Sequence, residues 1–401
     1  MRPGTESLAI GLSLLWLVAS AHCSLAASAR ALLKRERGDT REASALYPSP
    51  GAAVVVRRGG DATAAANAKA AIDAMNGFYN QTDGRWSTSD AWWVTGNALQ
   101  AVLDYTQKTG SREYMEKALH TFDLQRAPLP WWPQGGGDFR ADSTDDTGWW
   151  ALAMVRFYDV TGDAQYLDIA KEDEAYIYQY WSDSECGGGV IWSIRTLSYK
   201  NAISNELYMA LAIALHNRIP GDTEYLSRAL AAWQWFNASG MINAAHLVND
   251  GLAESQNGTV CTNNGQTAWT YNQGVVLGAL VGLHQATGEQ AFLAEATAIA
   301  DAVVHSSALS PGGVLTEPCE ADGSCDNNSR MFKGIFCRNL AELDAALGGN
   351  PYRAYLEGNA AVMMARDRNA SNFYDLSWNG PFNSSDIATQ ASAVSLLVSL
   401  L

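Results

Sequence analysis

From residue 62 onward, apolar residues recur at three- and four-residue spacing, the period of a helix with one buried face. The pattern predicts twelve helices, over 62–80, 90–109, 111–125, 144–161, 163–181, 201–218, 222–238, 267–287, 289–306, 332–347, 351–368 and 385–401. Ala, Leu, Gln, Glu and Met, all good helix formers, fill these segments. A degenerate repeat links them in pairs. Thr109-Gly110 precedes Tyr114-Met115 and Ala118; Thr161-Gly162 precedes Tyr166-Leu167 and Ala170; Pro220-Gly221 precedes Tyr225-Leu226 and Ala229; Thr287-Gly288 precedes Phe292-Leu293 and Ala296. Gly348-Gly349 stands in the same relation to Tyr355-Leu356. Each unit reads as helix, glycine turn, then a helix with an aromatic-aliphatic pair on its buried side. An interval of about fifty to sixty-seven residues suits one helical hairpin plus a long connection.

The fold class expected is all-α: six hairpins closed into an (α/α)6 barrel of inner and outer helices. The glycine turns then lie at one end. The long connections (126–143, 182–200, 239–266, 307–331 and 369–384) lie at the other and form a mouth. Long ordered loops are usually functional. Asp145 and Asp146, in Arg140-Ala-Asp-Ser-Thr-Asp-Asp-Thr-Gly-Trp-Trp-Ala151, follow the first of them. Ser143 or Thr144 is a suitable N-cap, which puts both acids in a first helical turn. Acids there also complement the helix dipole, by about 0.3–1 kcal/mol, so structural capping competes with catalysis for these two residues.

Composition sharpens the picture. The 401 residues are 47% apolar, ample for a sizeable core, and carry a formal net charge of -15. Residues 1–58 hold eight Lys/Arg and four Asp/Glu, leaving 19 basic and 38 acidic residues, a net of -19, on the rest. Such a body repels nucleic acid and anionic membranes and suits a neutral or cationic partner. Fourteen Trp and sixteen Tyr are many for this length; aromatics serve a core, and an acidic, Trp-rich protein is also what stacking on sugar rings needs. No Gly-x4-Gly-Lys-Ser/Thr pattern is present, which argues against a nucleotide site.

Arg2 followed by the apolar run Leu8 to Ala19 and small residues reads as a secretory signal over 1–27. Residues 28–60 read as a disordered or propeptide segment with dibasic pairs Lys34-Arg35 and Arg57-Arg58, and 61–401 as the catalytic domain. Six sequons (Asn80, Asn237, Asn257, Asn327, Asn369 and Asn383) agree with export to the medium or the cell wall. Five cysteines follow the signal; Cys319 with Cys325 and Cys261 with Cys337 is one pairing, which leaves Cys186 over. No Cys-x2-Cys or clustered His accompanies them, so neither a metal nor another cofactor is expected. The apolar run Ala391 to Leu401 resembles an anchor signal but is needed as the twelfth helix; a monomer without a membrane anchor is expected.

Aromatic and amide residues recur at the mouth. They include Trp92-Trp93, Trp131-Trp132-Pro133, Cys186-Gly-Gly-Gly-Val-Ile-Trp192, Tyr199-Lys-Asn with Asn205-Glu206, and Asp250-Gly-Leu. Tyr271-Asn-Gln-Gly, Glu317 with Cys319 and Cys325, Phe332-Lys-Gly and Thr389-Gln390 complete the set. Taken in order with Asp145-Asp146-Thr-Gly-Trp-Trp, they resemble glycoside hydrolase family 76, the α-1,6-mannanase-like enzymes, in its fungal form, over residues 62–401. The resemblance implies an (α/α)6 barrel and retaining, endo-type cleavage of α-1,6-mannosidic bonds in mannan or oligomannosides. It makes Asp145 the nucleophile, Asp146 the acid/base and Asp250 a substrate-contacting carboxylate. Trp93, Trp192, Asn205, Tyr271, Asn272, Phe332 and Lys333 are the further substrate-binding candidates. Transglycosylation through the same intermediate, and glycan binding without catalysis, are the alternatives.

Overall fold

The computed structural model describes residues 62–86, 91–254 and 261–401. The expected signal, the 28–60 segment and the Asn257 sequon lie outside them. Twelve α-helices are present among the described residues: α1 (Ala62–Met75), α2 (Trp92–Thr109), α3 (Met115–Gln125), α4 (Thr144–Thr161), α5 (Ala164–Tyr178), α6 (Ala202–His216), α7 (Glu224–Ala238), α8 (Thr270–Thr287), α9 (Gln290–Val304), α10 (Phe332–Leu347), α11 (Arg353–Arg366) and α12 (Ile387–Ser399). One two-stranded antiparallel ribbon, β1 (Leu252–Glu254) with β2 (Cys261–Asn263), decorates the connection before α8.

The even-numbered helices form an inner ring. α2 packs on α4, α4 on α6, α6 on α8, α8 on α10, α10 on α12, and α12 on α2. The odd-numbered helices lie outside, α5, α7 and α9 each against the inner helix that precedes it. The sixth hairpin joins the two ends of this region, α12 with α1. Most of α12 is buried, so the apolar C-terminal run forms barrel wall. Among the described residues no helix is long and apolar enough to cross a membrane.

The Thr-Gly repeat has a local cause. Gly110, Gly162 and Gly288 end α2, α4 and α8 in the left-handed conformation that glycine adopts without strain. The preceding Thr109, Thr161 and Thr287 each donate a hydroxyl hydrogen bond to the carbonyl four residues back (2.7, 2.7 and 2.8 Å). Each also accepts from the backbone N–H two residues on (3.1, 3.2 and 3.2 Å). One hydroxyl therefore closes the helix and starts the turn.

Two rungs of the inner ring set its diameter and hold its loops. At the fourth residue after the N-cap of α4, α6, α8 and α12 stand Thr147, Asn205, Gln273 and Gln390, and each binds backbone of the segment in front of it. Thr147 accepts from Ala141 N–H (2.9 Å). The Asn205, Gln273 and Gln390 carbonyls accept from Val190, Val248 and Tyr374 N–H (2.8, 2.7 and 2.9 Å). One residue further on, Gly148 in α4 and Gly274 in α8 let these helices close on the next, as Gly334 does near the start of α10. A Cβ on Gly148 would meet Leu207 Cβ at 2.9 Å, one on Gly274 the Phe336 Cα at 2.6 Å, and one on Gly334 the Ser392 Cα at 2.5 Å. Gly96 serves the same purpose against the Trp150 ring. In α6 the corresponding residue is Glu206, a fully buried carboxyl.

The glycine-turn end is tied by ion pairs. Arg156 of α4 binds Asp104 of α2 (2.6 Å) and Glu342 of α10 (3.2 Å), and Arg218 binds Asp159 (2.6 Å). The long loops gather at the opposite end.

Candidate active site

Asp145 and Asp146 occupy the first turn of α4, at the loop-rich end. Ser143 takes the N-cap position with extended backbone, but its side chain makes no capping bond to the helix. The start of α4 is instead fixed by Thr144. Its N–H donates to Trp192 O (3.0 Å) and its hydroxyl to Ile191 O (2.6 Å). The loop that carries Trp192 is thereby stitched to the turn that carries the acids.

The two half-buried carboxyls have different surroundings. Asp145 accepts the indole N–H of Trp192 at Oδ2 (3.1 Å) and the backbone N–H of Asp146 at Oδ1 (2.9 Å), with the Ser143 hydroxyl as a further donor. Burial lifts its pKa and these donors pull it back, to about 6. Among the described residues no group donates to the Asp146 side chain. Burial, with the negative charges of Asp145 and Asp142 added, pushes its pKa well above the ordinary carboxylate range. The surroundings thus favour the charged form of Asp145 over that of Asp146.

Asp250 is the third acid. Tyr199 donates its hydroxyl to it, and Asn264 Nδ2 in turn donates to that hydroxyl (3.0 Å). Tyr199 adopts φ 69°, a conformation rare for an aromatic residue, held by the pairing of this loop with Asp250-Gly251. The Tyr271 phenol lies close to Asp250, Asp145 and Glu206; burial and those charges raise its pKa well above normal. Its ring stacks on Phe332 (centroids 3.7 Å apart, 9° between planes), and Phe332 meets Trp269 edge-on (5.7 Å). Trp93 neighbours Phe332 (6.2 Å), stacks on Trp149 and donates its indole N–H to Asn328 (3.0 Å). Asp145, Trp192, Asp250 and Tyr271 are thus brought to one place, with Phe332 and Trp93 as the aromatic wall behind.

Two of the expected substrate contacts, Asn205 and Lys333, are engaged by the scaffold, and a third, Asn272, is out of contact with solvent. Asn205 spends its amide on Val190 O (3.0 Å) and Asn201 O (2.8 Å), as well as on Val190 N–H, and is buried. Lys333 is buried against the Trp378 ring and donates to Glu320 (2.7 Å) and to Leu376 O. Asn272 is fully buried, with neither amide atom hydrogen-bonded. The first two serve the scaffold because an amide or ammonium with carbonyls in reach binds them before it binds a solvated sugar. Glu317 likewise caps α8: it accepts from the Thr270 N–H (3.3 Å) and hydroxyl, and burial raises its pKa to about 8.

Lys200, Asn264 and Tyr199 are contributors that sequence reasoning left without a role. The buried Lys200 ammonium gathers the carbonyls of Ser182, Glu185 and Gly188 (2.8, 2.6 and 2.5 Å). This folds Gly188 and Gly189 over the Trp235 ring, where side chains would collide. The expected disulfide pairing is corrected in one half. Cys319–Cys325 forms, but Cys261 pairs with Cys186, and Cys337 is a buried free thiol on α10. Cys186 and Cys261 lie on neighbouring mouth loops, whereas Cys337 sits a full turn inside an inner helix.

A sequence profile described as glycosyl hydrolase family 76 matches residues 61–401. The chain belongs to this family. As a family 76 protein it has curated fungal relatives: it is 28% identical over 275 residues to mannan endo-1,6-alpha-mannosidase DFG5 of Saccharomyces cerevisiae (65% of this chain, 59% of that protein). It is 25% identical over 280 residues to mannan endo-1,6-alpha-mannosidase DCW1 of Eremothecium gossypii (65% and 60%). The matches thus span about three fifths of these relatives' length. Among solved structures, the family 76 α-1,6-mannanase of Salegentibacter sp. superposes with a TM-score of 0.74 at 25% identity, covering 84% of this chain and 98% of that one. That structure is of an inactive variant with two consecutive aspartates replaced by asparagine, in complex with α-1,6-mannotriose. Dfg5 of Chaetomium thermophilum shares the fold, with a TM-score of 0.73 at 19% identity.

Proposed function

We propose that this family 76 glycoside hydrolase is an endo-acting α-1,6-mannanase that cleaves mannan with retention, outside the cell or in the cell wall. The observation that carries the reading is the unequal pair Asp145–Asp146. Two neighbouring carboxyls in one helical turn differ in their donors, so that one is charged while the other keeps a proton. A retaining glycosidase needs such a pair. Asp145 attacks the anomeric carbon and forms the glycosyl-enzyme as the glycosidic bond breaks. Asp146 passes its proton to the leaving oxygen, then takes one from the water that releases the sugar. The helix N-terminus adds positive potential beneath the attacking carboxylate. Asp250, oriented by Tyr199, accepts sugar hydroxyls, and Trp192 and Tyr271 provide polar and apolar edges to the same ring. The consecutive aspartates replaced in the inactive Salegentibacter variant support these roles.

Incubation of the purified protein with unbranched α-1,6-mannan, with chromatography and NMR of the products, tests the reading. Oligomannosides released with α-anomeric reducing ends are expected. Monosaccharide alone would replace endo with exo action, and longer products formed only with an added acceptor glycan would make the protein a transglycosylase. Intact mannan, with or without acceptor, would refute the activity.

A further inference from the structure

Six large apolar side chains are exposed among the described residues, and three of them (Trp131, 43% exposed; Trp192, 42%; Leu197, 66%) belong to the two loops that adjoin the acid pair. Trp192 is accounted for by its bond to Asp145. Trp131 and Leu197 have no part in the chemistry above, yet both are held with care. Arg195 pairs with Asp142, donates through Nη2 to the backbone carbonyl of Trp131 (2.6 Å) and lies over the Trp132 ring (5.0 Å). Trp132 in turn donates to Tyr176 (2.9 Å), and the Trp131 ring stands edge-on to Trp92 (6.1 Å). Leu197 sits in the turn closed by Ser193 and Ser198, at φ 50°. A leucine that is both solvent-exposed and in the left-handed region is unfavourable twice over, a combination that points to function.

The two loops are continuous with the cleft. Ile194 N–H donates to Asp142 O (2.9 Å), and Thr144 N–H donates to Trp192 O (3.0 Å), so the rim beside Trp131 and the turn bearing Asp145 share one backbone ladder. An exposed indole at the edge of a cleft in an acidic protein, fixed by its own main chain, is a flat apolar face for a neutral, hydroxylated ring.

We infer that Trp131, flanked by Leu197, is an outer stacking platform for a hexose unit of the same glycan chain, beyond the sugars that meet Asp145 and Asp146. This rests on the mannanase reading and adds to it a determinant of chain-length preference. The platform engages only glycans long enough to reach it, and its rigidity means that it is set before the ligand arrives.

Calorimetric titration of α-1,6-mannobiose through mannohexaose into the Asp146→Asn protein, with and without Trp131→Ala, tests it. The carbonyl that anchors Arg195 is main chain and survives the substitution; Trp131→Leu, which keeps apolar bulk without a flat face, is the second variant. Affinity should rise with chain length in the parent, and both variants should lose that rise for the longer chains, by about tenfold, the scale of one aromatic contact. Leu119→Ala, at an exposed apolar position on α3, should bind as the parent does. A length-dependent gain that persists in both variants overturns the platform and leaves the mannanase reading standing. Absence of binding to every oligomannoside in the parent overturns both.

Discussion

The indole nitrogen of Trp192 lies 3.1 Å from Oδ2 of Asp145, and among the described residues no comparable donor reaches Asp146 one residue later. This contact, made across a loop, adds to the Ser143 hydroxyl and the Asp146 N–H in separating two carboxyls that the backbone places side by side. The indole favours the ionised form of Asp145 and so helps to keep the shared proton on its neighbour.

Trp192→Phe removes that donor while keeping an aromatic edge. The Asp145 pKa, about 6 with the bond in place, should then rise. Activity needs Asp145 ionised, so it falls as pH drops through this pKa. The acidic limb of the kcat/KM profile should therefore move to higher pH, with about a ten- to hundredfold loss below pH 6, the scale of one hydrogen bond to a charged group. A profile that keeps its acidic limb would remove Trp192 from this role.

Asp146→Asn keeps the shape of the site but cannot donate a proton. A fall in kcat of about 100- to 10,000-fold is expected on mannan, with a much smaller loss on an activated aryl mannoside whose leaving group needs no proton. Asp145→Asn should be inactive on both. Trapping with a fluorinated mannoside and peptide mapping should label Asp145; label on any other residue refutes the assignment.

Asn205→Ala strands the N–H and C=O of Val190, two residues before Trp192. A stability loss of about 1–3 kcal/mol per stranded group is expected in chemical denaturation. Because Val190 leads into the Trp192 loop, the acidic limb should also move in the direction seen for Trp192→Phe. A stability loss without that movement would confine Asn205 to folding.

Gly274→Ala and Gly334→Ala test the close rung of the inner ring. The new methyl groups would meet backbone at 2.6 and 2.5 Å. Each should cost about 1–3 kcal/mol by forcing α8 from α10, or α10 from α12. An unchanged denaturation midpoint would show that the ring yields freely.

Much of this architecture is visible in the sequence, for identifiable reasons. Helix positions follow from periodicity, and the hairpin turns from the Thr-Gly pairs, because a hydroxyl and a left-handed glycine act locally. The acid pair stands out through its place after a long loop. The roles of Asn205 and Lys333 are hidden because an amide or an ammonium binds a carbonyl and a sugar hydroxyl with the same atoms. Only the register of the neighbouring loop decides between them. The Cys186–Cys261 bridge is hidden for a similar reason: it joins two irregular loops whose meeting depends on β1, β2 and the Lys200 cage.

The seam between α12 and α1 brings together residues far apart in the chain: Gln390 Nε2 donates to Ala71 O (2.9 Å) across 319 positions. During synthesis five hairpins emerge in order while α1 waits, its apolar flank open to the surroundings, for a partner made only after all of them. The inner ring does not close until α12 has been made. Dependence on chaperones while α1 lacks α12, and misfolding of chains truncated before residue 387, follow from this ordering.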